Sequence, residues 1–128
     1  MLKFTYTESG IHLEHLTQSL EELIALRTVL AMRIGERLIA EPGTASFLLP
    51  ANLPLLHRLS TIARSEKNLA SPYFVDAEFV EICLHGTWLS SNTVCAEGLF
   101  FAELGEYAER LLLEVWQTYF SLQSFLMR

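Results

Sequence analysis

The closing stretch of the chain, residues 103–127, constrains the fold more than any other part of the sequence. Read as a helix at about 100° per residue, it carries apolar side chains over about two thirds of its circumference, whereas an ordinary surface helix has an apolar stripe roughly 100° wide. These side chains are Leu104, Tyr107, Leu111, Leu112, Val115, Trp116, Tyr119, Phe120 and Leu126. Such a helix needs burial on more than one side. In a chain of 128 residues we expect the second cover to come from another copy or from a partner protein.

Length and composition predict a single domain over residues 1–128. Hydrophobic residues make up 51% and charged residues 19%, which excludes a disordered chain and leaves apolar surface in surplus. No stretch supplies the roughly 18 apolar residues of a membrane span, and residues 1–7 lack the basic head and apolar core of a signal peptide. Cys83 and Cys95 are too few for a disulfide scaffold. We therefore expect a soluble, cytoplasmic protein with reduced thiols and no membrane partner.

The net charge of −6 argues against nucleic-acid binding. Residues 1–67 hold seven acidic and seven basic side chains, whereas residues 68–128 hold eight acidic and two basic ones. A protein that reads nucleic acid neutralises phosphates with clustered Lys and Arg, and the arginines at 27, 33 and 37 are diluted by the glutamate at 36. No nucleic-acid partner is expected.

The N-terminal segment alternates apolar and polar residues on both sides of a turn. Residues 3–7 and 11–14 alternate, and residues 8–10 supply turn chemistry, which predicts a β-hairpin. A three-four spacing of leucines over residues 13–34 competes with this interpretation, because it would suit one long helix starting near Ser9. We favour the hairpin.

A long helix is predicted after the hairpin. Thr17 or Ser19 can cap its start, and Ser19 with Glu22 has the spacing of a capping box. The Pro-Gly pair at residues 42–43 then ends the helix near Glu41.

Shorter elements are predicted in the middle of the chain. In order they are an edge strand at 46–49, a short helix capped by Asn52 and running to about residue 62, a polar loop to 72 and a strand at 73–89 with Val80, Ile82 and Leu84 on one face. Residues 94–102 fit either a returning strand or an early start of the last helix, because Gly98 weakens both. The sum is an α+β fold in which a small antiparallel sheet, the N-terminal hairpin plus the central strands, packs against two long helices. An all-α fold is the alternative.

Arg27 is the most unusual placement in the first predicted helix. It lies in the middle of an apolar stripe, where a guanidinium group is rarely buried without a carboxylate partner. One hypothesis is that Arg27 crosses a dimer interface to an acid of the last helix, with Glu109 nearest, and so sets the register of the pair. Alternatively, Arg27 extends to solvent at the edge of the stripe. Ala31 and Gly35 lie beside it, and their small size would let another helix approach closely.

Glu81, Cys83 and His85 share one face of the central strand. A thiolate and an imidazole at this spacing can both reach a metal ion, but the paired spacings of a closed zinc site are missing. Cys83 with His85 as its base could also form a small cysteine-dependent enzyme, although Glu81 would oppose formation of the thiolate. An ordinary half-exposed strand face explains all three residues, so no cofactor or metal is assigned.

The sequence therefore predicts a non-enzymatic, self-associating module with a binding, scaffold or regulatory role and its two long helices as the interface. The expected state is a homodimer or higher homo-oligomer, or a complex with another protein. The expected interface residues are Arg27, Leu111, Val115, Trp116, Tyr119 and Leu122. The alternatives are a small-ligand or metal protein that uses the face of Glu81, Cys83 and His85, and the cysteine-dependent enzyme.

Overall fold

The computed structural model describes residues 1–8, 10–70, 72–90 and 98–126, with the backbone alone at 73–74 and 120–126. Within these residues the chain forms six strands and three helices. In order they are β1 (Leu2–Thr7), β2 (Gly10–His15), α1 (Leu20–Arg33), β3 (Ile39–Pro50), α2 (Leu56–Ala63), β4 (Tyr73–Phe74), β5 (Phe79–Ser90), β6 (Gly98–Ala102) and α3 (Glu106–Leu126). None of these helices combines the length and the apolar character needed to cross a membrane.

The strands form a sheet in the order β2-β1-β6-β5-β3, and β4 adds to β5 outside this path. The pairings of β1 with β2 and β6, and of β5 with β4 and β6, are antiparallel. The α+β class is therefore confirmed and the all-α alternative is wrong. The predicted packing of a small sheet against two long helices is also wrong, because the end of the predicted first helix belongs to strand β3 and the described residues contain three helices.

The N-terminal hairpin forms where the alternation predicts it. Phe4 and Leu13 face each other across β1 and β2, and both are buried. On the other face of the same pair, Lys3 Nζ lies 3.0 Å from Glu14 Oε1. A slip of one residue would exchange the two faces, so burial of Phe4 fixes the register.

Helix α1 begins at its predicted cap. The Oγ of Ser19 accepts a hydrogen bond from the backbone N–H of Glu22 at 3.2 Å, which satisfies one of the free donors of the first turn. Glu21 and Glu22 then lie at the positive end of the helix dipole.

The same helix ends at Arg33 rather than near residue 41. Gly35 has a φ of +76°, and its N–H donates to the carbonyl of Met32 at 3.2 Å. The N–H of Glu36 donates to the carbonyl of Ala31 at 2.8 Å. Together these bonds form the Schellman motif that ends many helices at a glycine. The prediction of a longer helix was wrong because Gly35 was interpreted as a small packing residue.

Strand β3 follows and runs over twelve residues, far beyond the predicted strand at 46–49. It is the last strand in the sheet order, as the edge-strand prediction requires. Pro42 lies inside it, and an edge strand accepts proline because one side of its ladder has no neighbouring strand.

The predicted strand at 73–89 is divided by a tight turn. Asp76 Oδ1 accepts hydrogen bonds from the backbone N–H groups of Glu78 at 2.7 Å and Phe79 at 2.9 Å. Such a side-chain turn competes with an extended backbone and reverses the chain. The face predicted to be apolar is correct, because Val80, Ile82 and Leu84 are fully buried.

Two further predictions concern the cap of the second helix and the conformation of residues 94–102. Helix α2 begins after Leu55 without a side-chain cap, so Asn52 does not cap it. Residues 98–102 are strand β6, which answers the strand-or-helix question for these five residues. Residues 94–97 lie outside the described residues.

The chain divides into two compact units, each built from two segments. The first unit is Met1–Thr44 with Gly86–Glu103, and the second is Ala45–His85 with Leu104–Arg128. In the first unit, Leu23 of α1 packs with Leu89 and Phe101 on one face of the sheet. In the second unit, α2 contacts α3. The prediction of a single domain stays a prediction.

Candidate functional site

Three of the five side chains predicted to form the interface on α3 are buried within a single chain. Leu111, Val115 and Trp116 are covered, and Trp116 meets Phe47 edge-on with ring centroids 5.3 Å apart. Tyr119 is half-buried, and the side chain of Leu122 lies outside the described part. Leu111, Val115 and Trp116 are therefore shielded from water without a second copy. Contact of the predicted residues between copies stays a prediction.

Exposed apolar surface is concentrated on and just after α1 instead. Five of the nine large hydrophobic residues that are exposed in the described chain occur within nine positions of sequence. They are Leu26, Val29, Leu30, Met32 and Ile34. An exposed apolar cluster of this density is uncommon on a monomer and is typical of an interaction site.

Four residues of α1 form one line along the helix, which we call the α1 seam: Glu22, Leu26, Val29 and Arg33. Their separations of four, three and four residues are those of a helix-pairing stripe and keep them within about 60° of arc. Leu26 is 53% exposed and Val29 is 48% exposed. The seam thus has an apolar centre, an acidic end and a basic end.

The opposite side of α1 packs on its own sheet. Leu23 and Ala31 are buried, and Leu20 and Ile24 are partly buried beside Phe101. The three-four spacing of apolar residues predicts this buried stripe, but it does not predict the second, exposed stripe on the other side of the helix. The signal for the second stripe was present, since Leu26, Val29 and Met32 are apolar residues on the side that an ordinary surface helix gives to charged residues.

Arg27 borders a cleft of about 400 Å³ in the first unit, which we call the α1 cleft. Its apolar lining includes Leu30, Leu38, Leu89 and Leu99. Thr5, Thr7, Ser90 and Glu36 contribute polar groups. Arg27 is half-buried, and its side chain makes no ion pair or hydrogen bond with another residue in the described ranges.

Glu109, the predicted partner of Arg27, stabilises the start of its own helix. It is only 4% exposed, and its Oε1 accepts a hydrogen bond from the backbone N–H of Leu104 at 3.3 Å. Glu66 helps at the same place, where its Oε1 accepts from the N–H of Gly105 at 3.1 Å. Burial of Glu109 therefore has a local explanation, and its pairing with Arg27 of another copy stays a prediction.

Glu81, Cys83 and His85 share β5 as predicted, but no metal site is assembled around them. Among the described residues, no three His, Cys, Asp or Glu side chains come together to hold a metal ion. Cys83 is a free thiol that is partly buried. The backbone of β5 at these positions pairs with residues 68–70. The N–H of His85 donates to the carbonyl of Asn68 at 2.7 Å, and the N–H of Ala70 donates to the carbonyl of Cys83 at 2.9 Å.

One buried polar atom has no partner in the described part of the chain, the hydroxyl oxygen of Tyr6. Its ring packs against Trp88, with centroids 5.2 Å apart, and near Phe4 at 6.5 Å. Burial raises the pKa of Tyr6 to about 12, because the phenolate form would lose its hydration. Since side chains alternate along a strand, this ring lies on the sheet face opposite the side chain of Thr5, and Tyr6 also borders the α1 cleft.

Comparison with known proteins identifies the family and leaves the function open. A family model described as Alr0857-like matches residues 1–120, so the chain belongs to that family. That description states neither an activity nor a partner. A search of curated proteins found no match, and a search of solved structures found none either.

Proposed function

We propose that this member of the Alr0857-like family is a non-enzymatic, self-associating cytoplasmic module whose copies pair through the α1 seam. The observation that carries the proposal is the position of two exposed apolar residues, Leu26 and Val29, between Glu22 and Arg33. The proposal places the interface on α1 rather than on α3, because Leu111, Val115 and Trp116 of α3 already pack within one chain, whereas Leu26 and Val29 are exposed.

The seam matches itself only in one orientation. In an antiparallel pair centred between residues 27 and 28, Leu26 of one copy faces Val29 of the other, and Glu22 faces Arg33. A two-fold axis produces each contact twice, as the symmetry of a homodimer requires. A parallel pair would instead bring Glu22 against Glu22 and Arg33 against Arg33. Like charges opposite one another disfavour that arrangement.

The exposed area predicts a weak dimer. Leu26, Val29 and Leu30, with the alkyl parts of Glu22 and Arg33, offer about 400 Å² per copy, or about 800 Å² in total, and stable interfaces begin near 1,000–1,200 Å². The two charge pairs lie at the rim, where each contributes only about 0.2–1 kcal/mol. We therefore expect a dissociation constant on the order of 100 μM, and a role in reversible or scaffolded assembly.

The test is a charge swap in trans, read out by sedimentation equilibrium over about 10 μM to 1 mM. Glu22→Arg puts two basic ends in contact, and Arg33→Glu puts two acidic ends in contact, so each variant alone should dissociate more readily than the wild type. Mixed together, the two variants form two complementary pairs. The mixture should therefore recover a mass increase that neither variant shows alone.

A matched apolar change supplies the control. Leu26→Ser removes the centre of the seam, and Leu48→Ser removes a leucine of nearly equal exposure, 51% against 53%, on strand β3. Only Leu26→Ser should weaken self-association. A single-copy mass at 1 mM, or equal effects of the two serine variants, would refute the proposal and favour a foreign partner instead.

A further inference from the structure

We propose that the α1 cleft binds a small organic acid with an apolar body, whose carboxylate pairs with Arg27. This site goes beyond the proposed self-association, because Arg27 lies about 130° around the helix from the middle of the seam. The inference stands on the shape of the cleft, its lining and the position of one cation within it.

The size and lining of the cleft define the ligand body. A volume of about 400 Å³ lies within the range of small-molecule sites. It suits a ligand of about ten to twelve non-hydrogen atoms when the usual share of unfilled space is allowed. Because Leu38, Leu89 and Leu99 line the cleft, the body should be aliphatic or aryl rather than a sugar.

The charge of the head group follows from Arg27. Arg27 belongs to the lining of the cleft, is half-buried and makes no ion pair with another residue that the structure describes. A carboxylate can accept two parallel hydrogen bonds from a guanidinium group, an arrangement stronger than a neutral hydrogen bond. The hydroxyl-bearing residues Thr5 and Ser90 also line the cleft.

Glu36 opposes an anion, but Arg27 has the stronger influence. Glu36 also borders the cleft, yet its side chain is exposed to water, whereas Arg27 is half-buried. Charges in water are screened more than charges against apolar surface. A bound carboxylate therefore gains more from Arg27 than it loses to Glu36, and Glu36→Gln should strengthen binding.

The experiment uses octanoate as the probe and octanamide, its neutral analogue of equal length, as the reference. Titration of the full chain is followed by ¹H–¹⁵N NMR, so that shifts identify the site as well as the affinity. We expect wild-type protein to prefer octanoate by at least tenfold, with shifts at Thr5, Leu89 and Leu99. Arg27→Gln should abolish the preference for the acid while retaining weak binding of both probes.

The control is Arg37→Gln, which removes an exposed cation that neither lines the cleft nor belongs to the α1 seam. This variant should keep the full preference for octanoate. Equal affinity of the two probes for the wild type, an unchanged preference in Arg27→Gln, or shifts confined to other surfaces would overturn the proposal. The preference is a ratio of two affinities measured at one protein concentration, and self-association is read separately from the mass, so failure of either proposal is distinguishable from failure of the other.

Discussion

Replacing Gly86 by alanine should strongly destabilise the first unit. A Cβ at this position would lie 2.1 Å from the carbonyl oxygen of Phe101 and 2.7 Å from Cζ of the Phe100 ring. Gly86 is in β5 and Phe101 in β6, so the clash falls on the neighbouring strand's backbone. Ordinary van der Waals contact would need more than 1 Å of additional separation from that oxygen.

The magnitude follows from what must move. A flexible side chain could rotate away from the new methyl group, but a carbonyl in a strand ladder moves only with its strand. Separating β5 from β6 disturbs the pairs Thr87 with Phe101 and Trp88 with Phe100. Phe100 and Phe101 are both fully covered core residues. Overpacking costs about 1–3 kcal/mol, and we expect the upper end here, about 3 kcal/mol of unfolding free energy.

Gly98 provides the matched control, because it is a glycine of the adjacent strand with nothing within 4 Å of its added Cβ. Gly98→Ala should be neutral or should stabilise by about 0.5 kcal/mol, since it restricts the unfolded chain. Urea unfolding monitored by circular dichroism measures both changes. If Gly86→Ala lies within about 0.5 kcal/mol of Gly98→Ala, the close approach of β5 and β6 described above is incorrect.

Two further substitutions test single features of the first unit. Tyr6→Phe removes a buried hydroxyl group without a described partner, so the free energy of unfolding should stay equal or rise by about 1 kcal/mol. The pKa of Tyr6 is about 12 in the folded protein, against an ordinary value of 10.0, which stands for the unfolded chain. The contribution of the neutral hydroxyl group to the free energy of unfolding is therefore fully present below pH 10, and it is lost as the pH rises toward 12. Tyr6→Phe should lack that part of the decline, and identical pH profiles in alkaline urea titrations would refute the assignment. Gly35→Ala forces a side chain into a φ of +76° and should cost about 1–2 kcal/mol in the same unfolding assay, whereas an unchanged midpoint would argue against the helix end described above.

The sequence was most informative where two local signals agree. The hairpin has alternation on both sides of a glycine-containing turn, and the start of α1 has a serine at the cap with Glu22 three residues later. The face of β5 with Val80, Ile82 and Leu84 was equally clear from its period of two. In each case the backbone conformation is decided within a few residues, so distant contacts have little to override.

The errors came from features that tertiary contacts decide. Residues 39–41 are predicted as the end of the first helix, but they belong to strand β3, which lies beside β5 in the sheet. The apolar circumference of α3 predicts that the helix is covered on more than one side. Phe47 and α2 supply part of that cover within the chain, and cover by a second copy stays a prediction. The amount of apolar surface on an element can be estimated from the sequence, but the residues that will cover that surface cannot.

Helix α1 carries two candidate sites because its sides meet different environments. One side contacts the sheet and leaves the α1 cleft beside Arg27, and the other side presents Leu26 and Val29 to solvent. The two sides meet at Leu30, which lines the cleft and is also exposed beside the seam. A ligand that fixes the Leu30 side chain would remove rotamer freedom that a second copy must otherwise restrict on binding. Self-association and ligand binding would then favour each other, and by linkage the effect of each on the other must be equal.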